Sequence, residues 1–101
     1  MTKAPIFTIT YSRNWDGGGQ EYNSAASCVE QVFGPDATII RNCVNAYPIR
    51  VIISAEMQGI GRLELWSGRQ QSLFRKYGEE RRKSMSDIKA ILEDLKDEFD
   101  L

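Results

Sequence analysis

The chain has 101 residues, with thirteen Lys or Arg against fourteen Asp or Glu, a formal net charge of -1 and 42% hydrophobic side chains. That length predicts a single domain, residues 1–101, with one hydrophobic core, and the charge balance argues against bulk nucleic-acid binding. There is no histidine, which removes the commonest general base and the commonest zinc ligand together, so neither a metal site nor a cofactor is expected.

Residues Ile6 to Tyr11 alternate Phe7, Ile9 and Tyr11 with Ile6, Thr8 and Thr10, the pattern of a central strand. Asp16-Gly17-Gly18-Gly19 then predicts a turn, because glycines tolerate positive φ. A phosphate loop would add Lys-Ser/Thr, which is missing. From Gln20 to Phe33 apolar side chains at Tyr22, Ala25, Ala26, Val29, Val32 and Phe33 form a helical stripe. Gly34-Pro35-Asp36 ends that helix.

Ala37 to Ile40 predicts a second strand, parallel to the first through a right-handed crossover. After a break at Cys43 to Pro48, Ile49 to Ser54 regains strand character, either as an extension of the second strand or as a strand of its own. A loop at Glu56 to Gly61 leads into an expected hairpin, Arg62 to Trp66 and Arg69 to Arg75 joined by a Ser67-Gly68 turn. The isomer of the Tyr47–Pro48 bond is open from sequence. A charged loop follows, and the last helix is expected to start at Ser84 or Ser86, with Met85, Ile88, Ile91, Leu92, Leu95 and Phe99 facing the core.

Cys28 and Cys43 do not make a secreted-type disulfide framework, which predicts a reducing compartment, whether cytoplasm or an organelle such as a mitochondrion or plastid. The first residues carry no apolar signal core, and no apolar run reaches the length of a membrane span. Both cysteines read as small, partly buried apolar residues; a redox pair is the alternative. Residues 69–83 hold six basic side chains, Arg69, Arg75, Lys76, Arg81, Arg82 and Lys83, against Glu79 and Glu80, whereas residues 84–101 hold six acidic against two basic. A solvated loop beside a solvated helix face accounts for that separation; a docking surface for a partner is the other reading.

The order strand, helix, strand, hairpin, helix matches a compact thioredoxin-like domain, α/β with a mixed sheet, β-α-β-(β)-β-β-α, and helices packed on it. Tyr11 followed by Ser12-Arg13-Asn14-Trp15 resembles the selenoprotein W family (the Rdx group), which places Tyr-Cys-x-x-Cys or Tyr-Cys-x-x-selenocysteine at this turn. The stretch Gly61-Arg62-Leu63-Glu64-Leu65-Trp66-Ser67-Gly68-Arg69-Gln70-Gln71-Ser72-Leu73-Phe74-Arg75-Lys76-Tyr77-Gly78 is similar to that family's Gly-Phe-Phe-Glu-Val-x-x-x-Gly-x-Leu-Ile-x-Ser-Lys segment. Residues 44–60 look like an insertion relative to its shortest members.

In that register the family's two redox positions fall on Ser12 and Trp15. A serine is far too weakly acidic to stand in for a thiolate, and tryptophan offers no nucleophile. The resemblance therefore implies a degenerate redox turn with no catalytic residue. The expected function is a non-catalytic interaction module, an accessory or structural subunit of a larger assembly. Arg13, Trp15 and the basic side chains from Arg69 to Lys83 would touch other protein subunits, with peripheral attachment to a membrane complex as one setting and no nucleic acid as partner. The alternative is a thiol-redox protein in cell redox homeostasis using Cys28 or Cys43, and a third reading is anion binding at Gly17 to Gly19.

Overall fold

The computed structural model describes residues 4–13, 18–45 and 47–101. Among the described residues four strands form one mixed sheet, β1 (Ile6–Ser12), β2 (Thr38–Val44), β3 (Arg50–Met57) and β4 (Gly61–Arg69), in the order β2-β1-β3-β4. β2 runs parallel to β1, β3 antiparallel to β1, and β4 antiparallel to β3. Two helices, α1 (Gly19–Phe33) and α2 (Gly78–Glu98), complete an α/β fold.

Period-two alternation decides which sheet face is covered. Phe7, Ile9 and Tyr11 of β1 pair with Ala55, Ile53 and Val51 of β3, and all six are buried in one cluster with Ala25 and Val29 of α1 and Ile88, Leu92 and Leu95 of α2. The opposite face carries Ile6, Thr8, Thr10, Ile40, Ile52 and Ser54, with Ile6 and Ile40 exposed. The helices run side by side in the same direction. Arg81, Met85, Lys89 and Lys96 of α2 meet Ser24, Cys28, Gln31 and Val32 of α1 in that order. Both helices therefore start at the end of the sheet where β1 finishes.

The structure corrects several expectations. The strand after the break is Arg50–Met57, β3, which decides for the second of the two readings left open there, and it is the first arm of the hairpin. The hairpin turns at Met57–Ile60, where the Ile60 N–H donates to the Met57 carbonyl at 3.1 Å and Gly59 takes φ 84°. Ser67 and Gly68 do not turn the chain; they lie within β4, opposite Ile52 and Val51. Gly68 answers to packing, since a Cβ there would sit 2.5 Å from the Trp66 indole. A register shift at Ile53/Ser54 leaves Leu65 as the extra residue of a bulge.

Nor does Arg69 to Arg75 form a strand. Arg69 ends β4 and Gln70–Leu73 make a 3₁₀ turn, so the sheet has four strands. α2 begins at Gly78 instead of Ser84 or Ser86, with the Arg81 N–H donating to the Tyr77 carbonyl at 2.8 Å. The run from Glu79 to Lys83 is made of good helix formers, and Glu79 and Glu80 suit the positive end of the helix. The basic segment expected in a loop is thus partly the first two turns of α2. β2 also extends past Ile40 to Val44. The Tyr47–Pro48 bond is cis.

Candidate functional site

Ser12 ends β1 and is buried. Its backbone N–H donates to Gln70 Oε1 at 2.8 Å, and Gln70 Nε2 donates to the Ser12 carbonyl at 2.8 Å. The fully buried Gln70 side chain so replaces a strand neighbour where the β1–β3 ladder runs out, while its own N–H donates to the Ile49 carbonyl at 3.3 Å. The Ser12 hydroxyl accepts the Arg50 N–H at 3.4 Å. Among the described residues no carboxylate or amine side chain hydrogen-bonds that hydroxyl, and so none of them is placed to activate it as a nucleophile.

Beyond Ser12, the Arg13 N–H donates to the Val44 carbonyl at 2.8 Å and ties the ends of β1 and β2, leaving the Arg13 side chain exposed. Trp15, Asp16 and Gly17 lie outside the described residues, so the positions expected for the second redox residue and the first turn glycine are not placed. Gly18 caps α1 with φ 79°, and a Cβ on it would lie 2.5 Å from the Tyr11 ring. Glycine is required there on two counts, backbone conformation and close approach to an aromatic.

Tyr11 itself accepts a hydrogen bond from Arg41 Nε on β2, and the Arg41 guanidinium lies 4.5 Å over the Tyr22 ring and 5.4 Å over the Tyr11 ring. The bond to Tyr11 raises the Arg41 pKa above its ordinary value, so this latch between β2, β1 and α1 is permanently cationic. Glu21, in the first turn of α1, is fully buried.

The two cysteines part company. Cys28 is fully buried between α1 and α2, with its thiol donating to the Met85 carbonyl at 3.7 Å. Burial pushes its pKa up to about 11, against the weaker pull of Lys89 and Arg81 in the other direction. Cys43, expected to be partly buried, is exposed because β2 is an edge strand, and both thiols are free. Among the described residues no cluster of His, Cys, Asp or Glu could hold a metal ion, and no helix is long and apolar enough to cross a membrane.

The basic residues do not act as one segment. Arg69 ends β4 and is exposed, as are Arg75 and Lys76; the Arg75 backbone N–H donates to Gln20 Oε1 at 3.1 Å. Arg81 turns inward and its Nε donates to Ser24 Oγ at 3.0 Å. Lys83 pairs along the helix with Asp87 at 3.3 Å, and Arg82 is exposed. Sequence reasoning missed Gln70, Arg50, Arg41 and Glu21. Gln70 carries no sequence signal, whereas Arg41 could have been found from its parity with Ile39, on the helix-covered side of an edge strand. No known protein family, curated protein or solved structure matches the chain.

Proposed function

We propose that this chain is a non-catalytic, thioredoxin-like module related to the selenoprotein W family, serving as an accessory or structural subunit of a larger protein assembly such as a respiratory, photosynthetic or ribosomal complex. The sheet order β2-β1-β3-β4, with one parallel crossover and one hairpin, supports the thioredoxin-like reading. The observation that carries the function is the state of Ser12. The strand end at which the resemblance puts a thiol holds a serine with both backbone groups clamped by Gln70 and no activating partner among the described residues.

Cys28 supports the same reading, because a buried thiol with a pKa of about 11 is neither accessible nor ionised at neutral pH. The second reading, thiol redox, keeps only Cys43, which has exposure in its favour. Size analysis of a gentle extract of the native source separates the two. The module reading expects the chain in species far larger than its own 11.5 kDa, and recovery solely as a free monomer would sink it.

A further inference from the structure

We infer that the corner of the sheet formed by Arg13, Arg50 and Arg69, with Tyr47 and Ile49 beside them, takes an acidic segment of a protein partner that also carries an apolar side chain. This rests on the module reading and gives its contact surface a chemistry. The topology gathers these residues from four parts of the sequence. β1 ends at this corner, β3 starts from it and β4 ends at it, while residues 47–49 lead into β3.

Arg50 and Arg69 are direct cross-strand partners on the face that no helix covers. Like charges in that position destabilise a sheet, and no carboxylate among the described residues forms an ion pair with either of them or with Arg13. Arg50 is fixed as well as charged, since its Nε and Nη2 donate to Ser67 Oγ at 3.2 and 3.0 Å. Cationic residues paired across two strands, one of them held in place, suit incoming carboxylates, which guanidinium groups bind in a paired geometry.

Beside them Tyr47 is 92% and Ile49 41% exposed. An apolar and aromatic patch among arginines has the composition of a protein interface hot spot. It favours a protein over a nucleic acid, whose phosphates have no use for Ile49. Asp36 ahead of β2 and Asp97, Glu98 and Asp100 at the end of α2 lie at the opposite end of the sheet, and Glu79 and Glu80, in the first turn of α2 at the corner's own end, make no ion pair with Arg13, Arg50 or Arg69.

The test measures fluorescence anisotropy of a labelled Glu-Glu-Asp-Leu-Glu-Glu-Phe-Asp peptide with the full chain in low salt, beside the same peptide with Gln and Asn for its acids and a uridine RNA oligomer. The acidic peptide should bind and the neutral one should not. Arg13→Glu with Arg69→Glu should weaken binding at least tenfold, Arg69→Lys much less, and Tyr47→Ala should weaken it with the charge unchanged. These side chains are exposed, and matching thermal midpoints confirm that the variants fold. RNA binding as tight as the peptide's, no peptide binding, or binding indifferent to the charge reversal overturns the inference. In native extract the charge-reversed chain should leave the large species. If it stays there, the corner is wrong and the module reading survives; a wild-type chain that is itself monomeric overturns both.

Discussion

The amide of Gln70 closes both backbone hydrogen bonds of Ser12, accepting from its N–H and donating to its carbonyl, each at 2.8 Å. Both residues are buried, so truncating Gln70 to Ala strands two backbone groups and leaves a void. Each unmade buried hydrogen bond costs about 1–3 kcal/mol, which puts Gln70→Ala at roughly 2–6 kcal/mol of lost stability in urea unfolding. Ser12→Ala keeps the backbone clamp and loses only the 3.4 Å contact to Arg50, and should cost under about 1 kcal/mol. Equal losses for the two variants would show that the hydroxyl, not the clamp, matters at this strand end.

Cys28 and Cys43 differ in burial, which thiol chemistry reads directly. Iodoacetamide should label exposed Cys43 in the native protein and reach buried Cys28 only in denaturant. The pH dependence of stability follows from the raised pKa. Above the ordinary value of 9.0 the unfolded chain releases the Cys28 proton while the folded chain keeps it until about 11. The thiol's contribution is therefore complete below pH 9 and is lost as pH rises through 11. Cys28→Ala should flatten that alkaline decline in a comparison of urea midpoints; an unchanged slope would assign the decline to other groups.

Most of the fold was legible because it follows from periodicity. Phe7, Ile9 and Tyr11 on one face of β1, Ala25, Ala26, Val29 and Val32 of α1, and Ile88, Leu92 and Leu95 of α2 are buried where alternation and the helical repeat put them, whereas Ile91, expected to face the core, stands outside the core cluster. The hairpin was misplaced because Ser67-Gly68 looks like a turn in sequence, whereas its glycine makes room for an indole two residues earlier. The start of α2 was set too late because Ser84 reads as a cap; it is buried inside the helix instead. Of the corner of Arg13, Arg50 and Arg69, the first and last were legible as contact residues and Arg50 was not, since cross-strand register, not spacing, sets Arg50 opposite Arg69.

Gly18 joins backbone conformation to packing. At φ 79° a side chain is strained by about 1–2 kcal/mol, and its Cβ would also lie 2.5 Å from Tyr11 Cδ2 and 2.7 Å from Cε2. Gly18→Ala should destabilise by roughly 2–4 kcal/mol once overpacking is added. Tyr11→Leu in the same chain should recover the packing part and leave the conformational part, a coupling that a double-mutant cycle reads. Additive losses would mean that the ring and the glycine do not meet.

Gly68 tests the corrected hairpin. It pairs with Val51 inside β4, and a Cβ there would fall 2.5 Å from Cη2 and 2.6 Å from Cζ2 of the half-buried Trp66. The indole packs against the core cluster and has little room to withdraw. Gly68→Ala should therefore cost about 1–3 kcal/mol and shift the Trp66 emission to longer wavelength as the ring is driven toward water. A Trp15→Phe background isolates that signal. Trp66→Leu should abolish the penalty of the alanine, because the obstructing ring is then gone. If Gly68→Ala is neutral and the emission does not move, Gly68 does not seat the indole, and a turn at Ser67-Gly68 regains its standing.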